Sequence, residues 1–115
     1  MNLKYLVIKC NDLKKSKAFY EAIGFHPIKE KHGNGVEHYS FAINDFIIEL
    51  YPSTKRAEGN LIFGLEIKIP IEEIIRRLKF ISYDQELSKN KDGKFSINDP
   101  DANKIFISGI DLWVK

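Results

Sequence analysis

The chain has 115 residues, of which 43% are hydrophobic and 30% charged, a mixture typical of one small globular domain. Its 18 basic and 16 acidic residues give a net charge of only +2, which argues against a nucleic-acid partner. No segment approaches the ~20 apolar residues needed to cross a bilayer, and the N-terminus has no signal-peptide pattern. The lone Cys10 excludes an internal disulfide and a cysteine-based zinc site. We therefore expect a cytoplasmic protein that binds neither nucleic acid nor membrane.

The first half of the chain predicts a strand, a helix and three further strands. Leu3 to Cys10 alternates between apolar and polar faces, as a strand does. Asp12 is a natural N-cap for the helix that follows, and Gly24 stands where a left-handed residue would end it. Three strands are expected next, with a tight turn at Asn44-Asp45 between the last two, at Phe25–Lys31, Glu37–Ile43 and Phe46–Tyr51.

The second half repeats this order after a polar linker over about residues 53–60. Pro70 fits the first turn of a helix, and isoleucines and a leucine at helical spacing follow it. The predicted strands lie at Gly64–Ile69, Ile81–Leu87, Lys94–Ile97 and Lys104–Ser108. Strand, helix and three strands thus occur twice, over about 1–52 and 61–115, although the two sequences differ.

This repeat predicts an α+β fold of two paired βαβββ modules in a single domain. Each module has one helix, which covers only one face of its sheet. The two uncovered faces then form a concave, mixed-sheet trough, which strand parity predicts to be lined by Tyr5, Lys9, His38, Ser40, Glu49, Tyr51, Glu66 and Phe106. A wall of aromatic and polar side chains suits a small organic ligand.

Several motifs give the chain a resemblance to a known superfamily. Asp12-Leu13, Ser16, Phe19-Tyr20 and Gly24-Phe25 mark the first helix, and Ile48-Glu49-Leu50-Tyr51-Pro52 ends the first half. The segment His32 to Tyr39 and the run Asp99-Pro100-Asp101-Ala102-Asn103 match as well. In this order they resemble the vicinal oxygen chelate superfamily, which includes glyoxalase I, extradiol dioxygenases and the fosfomycin- and bleomycin-resistance proteins. The resemblance covers nearly the whole chain and is greatest to small bleomycin-resistance-like members.

The resemblance also implies where a metal would bind. Enzymes of the superfamily take four ligands from the first and last strands of each half, typically His, Glu, His or Glu, and Glu. Carried over by motif, these positions are held here by Tyr5, Glu49, Gly64 and Phe106, or by Glu66 in place of Gly64 if the alignment shifts by two residues. Because a divalent metal needs two to four converging nitrogen or oxygen ligands, we predict no cofactor. A divalent metal is the less favoured alternative.

His38 and Glu49 are candidate catalytic residues, since a hydrogen bond between them would raise the basicity of the imidazole. The simpler interpretation, which we favour for His38, is a hydrogen-bonded sheet residue. Two interpretations of Glu49 remain open. It contacts the ligand, or it is a remnant of the superfamily's metal site whose carboxylate interacts with Lys9 or Ser40. Four other side chains are predicted to have structural roles. We expect His26 to be an exposed edge residue and His32 a solvated loop residue. We expect Cys10 to be an inert core thiol and Trp113 a packing or dimer contact.

Three functions follow from this inventory. The first is a metal-free small-molecule-binding protein similar to bleomycin-resistance proteins, acting as a homodimer. The second is an enzyme of the superfamily, a lyase, an isomerase or a dioxygenase-type protein. The third is a non-enzymatic partner or regulatory protein with a vestigial trough. Whether the modules pair within one chain or swap between subunits stays open, and so does the identity of the ligand.

Overall fold

The computed structural model describes residues 1–108, so the predicted role of Trp113 lies outside the described residues. Its first half contains β1 (Tyr5–Cys10), α1 (Leu13–Ala22), β2 (Ile28–Glu30), β3 (His38–Ile43) and β4 (Phe46–Pro52). Its second half contains β5 (Ile62–Glu66), α2 (Ile71–Phe80), β6 (Ser88–Lys89), β7 (Phe95–Asn98) and β8 (Lys104–Ser108). Neither helix of the described chain is long and apolar enough to span a membrane.

The strands form two four-stranded sheets with the same topology, which confirms the predicted pair of βαβββ modules. The first sheet has the order β1-β4-β3-β2, and the second has the order β5-β8-β7-β6. In each sheet the first and last strands of the module lie side by side and parallel, whereas the remaining pairs are antiparallel. The tight turn at Asn44-Asp45 sets Ile43 opposite Phe46, the register that the sequence predicts.

The helices cover one face of each sheet, and a single apolar core runs through both modules. Phe19 and Tyr20 from α1 and Ile74 and Leu78 from α2 are buried in it. So is Cys10, in agreement with the predicted core thiol. The opposite faces of the sheets carry exposed apolar side chains, with Tyr5 61% and Ile62 70% accessible. These are the faces that the sequence assigns to the trough.

Both helices end in a Schellman motif. At the end of α1, the amides of Gly24 and Phe25 donate to the carbonyls of Glu21 and Tyr20, and Gly24 takes the positive φ that the motif requires. At the end of α2, Ser82 and Tyr83 donate in the same way to Lys79 and Leu78. Here a serine, Ser82, has the positive φ of 55°.

This second helix end overturns one strand prediction. The segment 81–87 was expected to be a strand, but the Schellman motif turns the chain at Ser82, and Tyr83 packs inward against Phe19. The pairing partner of β7 is instead the short strand β6, at Ser88–Lys89. The strand expected at 64–69 also begins earlier, at Ile62, and ends at Glu66. Residues 67–69 therefore follow the strand.

A buried polar network joins α1 to the loop before β8. Asp99 is 1% exposed and accepts hydrogen bonds from the Tyr20 hydroxyl, at 2.7 Å, and from the amides of Asp101 and Asn103. Asp101 in turn accepts from the amide of Asn11, at the start of α1. The segment 99–103, which matches a superfamily motif, therefore links the two modules through hydrogen bonds.

Candidate functional site

The centre of the site is His38, the first residue of β3, which is 1% exposed. The hairpin register places Ser40 opposite Glu49, as predicted. Because side chains alternate along a strand, His38 and Ser40 share the face that carries Glu49 and Tyr51 on the neighbouring strand β4. The tight turn at Asn44-Asp45 therefore brings these residues together on one side of the first sheet.

Tyr51 and Lys9 form one side of this cluster. The His38 and Tyr51 rings stack with centroids 4.2 Å apart and an angle of 9° between their planes. The Lys9 ammonium lies 5.6 Å from the centre of the Tyr51 ring, within the range of a cation–π contact. Burial raises the pKa of the Tyr51 hydroxyl, and the nearby carboxylate of Glu49 adds to the rise. Tyr51 is therefore a neutral hydrogen-bonding group at this site.

The two nitrogens of His38 have different surroundings. Nδ1 lies 3.1 Å from the carbonyl oxygen of Val36, so Nδ1 carries the ring proton and donates it to that acceptor. Nε2 lies 3.3 Å from Glu30 Oε1 and 3.5 Å from Glu49 Oε2. It is the only buried side-chain nitrogen or oxygen without a hydrogen-bond partner in residues 1–108. The predicted contact between His38 and Glu49 is present, but it is not a hydrogen bond.

Two residues of this cluster were not predicted as site residues, namely Glu30 and His32. Glu30 lies opposite His38 in the pairing of β2 with β3. His32 follows two residues later, and its Nε2 lies 3.9 Å from Glu30 Oε1. The side chain of His32 is 76% exposed, in agreement with the predicted solvated position, but its ring centroid is only 5.4 Å from that of His38. One potential ligand atom from each of Glu30, His32 and His38 falls within 4.8 Å of the others.

The remaining predicted trough residues lie farther along the two sheets. Tyr5 pairs with Ile47 at the start of the parallel β1–β4 ladder and is exposed. Phe106 lies opposite Gly64 in the β5–β8 ladder. The Lys104 ammonium lies 5.3 Å from the centre of the Phe106 ring. Glu66 is exposed at the end of β5. The structure thus clusters Lys9, His38, Ser40, Glu49 and Tyr51, whereas Tyr5 lies at the far end of β1, and Glu66 and Phe106 belong to the second sheet.

A large cleft in the described chain lies elsewhere. It measures about 630 Å³ and is lined mainly by apolar residues of the helix-facing sides, among them Leu6, Phe46, Phe63 and Leu65. Of the predicted trough residues it includes only Glu66. In the single chain the trough is an open face, on which Tyr5 and Ile62 are exposed.

Comparisons with known proteins identify the family. The model of the Glyoxalase/Bleomycin resistance protein/Dioxygenase superfamily matches residues 2–64, more than half of the chain. The chain belongs to this superfamily. No match was found among curated proteins.

Solved structures of the superfamily fold cover nearly the whole chain. The fosfomycin resistance protein FosX from Listeria monocytogenes, complexed with Mn(II) and 1S,2S-dihydroxypropylphosphonic acid, has a TM-score of 0.70 at 17% identity, and the match covers 93% of this chain and 90% of that one. FosX from Mesorhizobium loti has a TM-score of 0.68 at 14% identity, with 93% and 90% covered. A virulence protein from Salmonella typhimurium has a TM-score of 0.62 at 18% identity, with 95% and 96% covered. At these identities the similarity shows the fold.

The metal site that the superfamily implies does not fit this chain. Of its four expected positions, Glu49 offers a carboxylate and Tyr5 a phenol, whereas Gly64 and Phe106 offer no side-chain ligand atom. Gly64 and Phe106 are register partners on neighbouring strands, so the second module offers no ligand at these two positions. Glu66, the alternative to Gly64, pairs with Ser108 and would add one carboxylate but no histidine. A glutamate and a tyrosine alone are a poor set for a divalent ion.

Proposed function

We propose that this protein resembles the bleomycin-resistance proteins and binds a small, amphiphilic aromatic molecule in its trough. This binding requires no metal ion at the four positions where superfamily enzymes hold one. The observation that carries the proposal is the composition of the open sheet faces. Aromatic rings at Tyr51 and Phe106 lie beside the cationic groups of Lys9 and Lys104. Apolar area supplies affinity in such a site, and a few charges orient the ligand.

The same faces support a homodimer. Large apolar side chains are exposed on both sheets, with Tyr5 and Ile62 more than half accessible. An exposed apolar patch is typical of an interface between protein chains. A second copy placed against these faces would also convert the open trough into an enclosed site, which a small ligand needs.

The anionic aromatic dye 8-anilino-1-naphthalenesulfonate is a suitable probe, because its rings and its sulfonate match the rings and ammonium groups of the trough. We expect saturable fluorescence enhancement with the native protein. We also expect Phe106→Ala to weaken dye binding about tenfold or more, the effect of losing most of a buried ring contact. Phe80→Ala is the matched control, since Phe80 is 83% exposed on α2, on the helical side of the molecule.

Sedimentation of each variant at the same concentration measures its oligomeric state. It therefore distinguishes the loss of a ligand contact at Phe106 from the loss of the dimer. Weaker dye binding by a Phe106→Ala protein that still sediments as a dimer supports the proposed function. Equal effects of the two substitutions, or no saturable binding, would rule out the trough as the ligand site. Sedimentation of the native protein as a monomer would refute the homodimer.

A further inference from the structure

We propose that Glu30, His32 and His38, with Glu49 beside them, form a binding site for a divalent transition-metal ion, best suited to Zn²⁺. The site goes beyond the proposed function. It shares only Glu49 with the superfamily positions, and its other ligands come from β2, the loop after it and β3. The two-residue spacing of Glu30 and His32 and the pairing of Glu30 with His38 bring these side chains together.

The first argument is the state of His38. Its Nδ1 faces the carbonyl of Val36, which fixes the tautomer with a free lone pair on Nε2. A backbone carbonyl in this role is the usual partner of a metal-bound histidine, because it orients the ring and makes the other nitrogen more basic. The His38 side chain is 99% buried, and Nε2 has no hydrogen-bond partner.

The second argument is electrostatic. Nε2 lies between the carboxylates of Glu30 and Glu49, at 3.3 and 3.5 Å. Three electron-rich groups at such distances repel one another in a partly buried position unless a proton on Nε2 or a metal ion lies among them. Two ligand atoms that each lie about 2.1 Å from a tetrahedral ion are about 3.4 Å apart. The two distances from His38 Nε2 match this value, whereas His32 Nε2, at 3.9 Å from Glu30 Oε1, would move closer when an ion binds.

The third argument concerns ligand chemistry. Two imidazoles and one carboxylate are the ligands of many catalytic zinc sites, which keep one position open, and of the facial triads that bind other transition metals. Mg²⁺ and Ca²⁺ prefer sites made entirely of oxygen ligands. His32 is exposed, so an ion held here is accessible from solvent.

The test uses the full chain, produced without a metal-affinity tag and freed of metal with a chelator. Titration with Zn²⁺ in a calorimeter is expected to give one site per chain. The melting temperature is expected to rise by on the order of 10 °C when free Zn²⁺ reaches a hundred times its dissociation constant. Titration with Co²⁺ is expected to give visible absorption bands whose intensity reports four-coordinate nitrogen and oxygen ligation.

His32→Gln is the decisive variant, because His32 is exposed and its loss should leave the fold intact. We expect this change to weaken Zn²⁺ binding at least tenfold and to reduce the Co²⁺ bands. His26→Gln is the matched control, since His26 is also exposed but belongs to no potential ligand cluster in the described residues. It should bind Zn²⁺ like the native protein. Glu30→Gln provides a second test and should weaken binding to a similar extent.

Binding that His32→Gln leaves unchanged, binding that His26→Gln weakens equally, or the absence of a stoichiometric site would each overturn the proposal. The dye experiment reports separately on the trough. Dye binding that persists in the metal-free protein leaves the proposed function standing even if the zinc site fails.

Discussion

At the scale of single residues, Tyr20 and Asp99 form a buried hydrogen bond between the two modules. The Tyr20 hydroxyl is buried in the core and donates to a buried carboxylate oxygen at 2.7 Å. Burial and the charge of Asp99 together raise the pKa of Tyr20 well above its usual value. The hydroxyl therefore stays protonated and continues to donate over the whole neutral range.

We predict that Tyr20→Phe lowers the free energy of unfolding by about 2 kcal/mol, since a buried hydrogen bond to a charged acceptor contributes more than a neutral one. Tyr83→Phe is the matched comparison, because the Tyr83 hydroxyl donates at the same 2.7 Å to an uncharged backbone carbonyl, that of Asn98. Its expected cost is about 1 kcal/mol. Urea denaturation measures both values, and a larger loss in Tyr83→Phe would contradict this account of the network.

At the scale of helices and strands, the sequence predicts elements well where a local signal exists. Asp12 caps α1 through a hydrogen bond to the Lys15 amide, Gly24 ends the helix, and the turn at Asn44-Asp45 sets the register. The end of α2 has the same hydrogen-bonding geometry as the end of α1, but Ser82 occupies the place where glycine is expected. Without that signal, the apolar residues after Phe80 resembled a strand.

We predict that Ser82→Gly stabilises the protein by about 1 kcal/mol, because glycine adopts a positive φ without the steric cost that a side chain incurs. This corresponds to a rise of about 4 °C in melting temperature. Ser82→Ala keeps the Cβ atom and serves as the control, for which we expect no gain. Calorimetry of the three proteins measures the effect, and equal melting temperatures for the glycine and alanine variants would refute it.

The candidate site was predictable only in part for a related reason. The hairpin between β3 and β4 has a two-residue turn, so its register follows from the sequence, and His38, Ser40, Glu49 and Tyr51 are placed together correctly. The connection between β2 and β3 is seven residues long, and no turn rule fixes its register. The pairing of Glu30 with His38, and with it the position of His32, therefore emerges only from the folded chain.

At the scale of the whole molecule, the two modules share one apolar core, and Cys10 is buried in it. Burial raises the pKa of the Cys10 thiol from 9.0 to about 12. Between these two values the unfolded chain loses a proton that the folded chain keeps, so the contribution of the thiol to stability falls as pH rises through this range. The loss amounts to at most about 1.4 kcal/mol per pH unit.

We predict that the native protein loses stability relative to Cys10→Ala as the pH is raised from 8 to 10.5. The alanine variant has no thiol but keeps every tyrosine, so the difference between the two proteins isolates Cys10. Urea denaturation at several pH values measures it. A difference that stays constant over this range would show that the thiol is not protected in the folded state.

The parallel pairing of the first and last strand of each module has a consequence for synthesis. During translation β1 leaves the ribosome early, but its neighbour β4 is not made until Pro52, so the first sheet cannot close before then. Even after that point α1 lacks the acceptor for its Tyr20 hydroxyl, which is Asp99 and is made almost fifty residues later. The nascent first half must therefore keep a polar group in its core unsatisfied, or leave the helix loosely attached, until the loop before β8 appears. Final packing of the protein is consequently a late event, completed by some of the last residues of the described chain to be made.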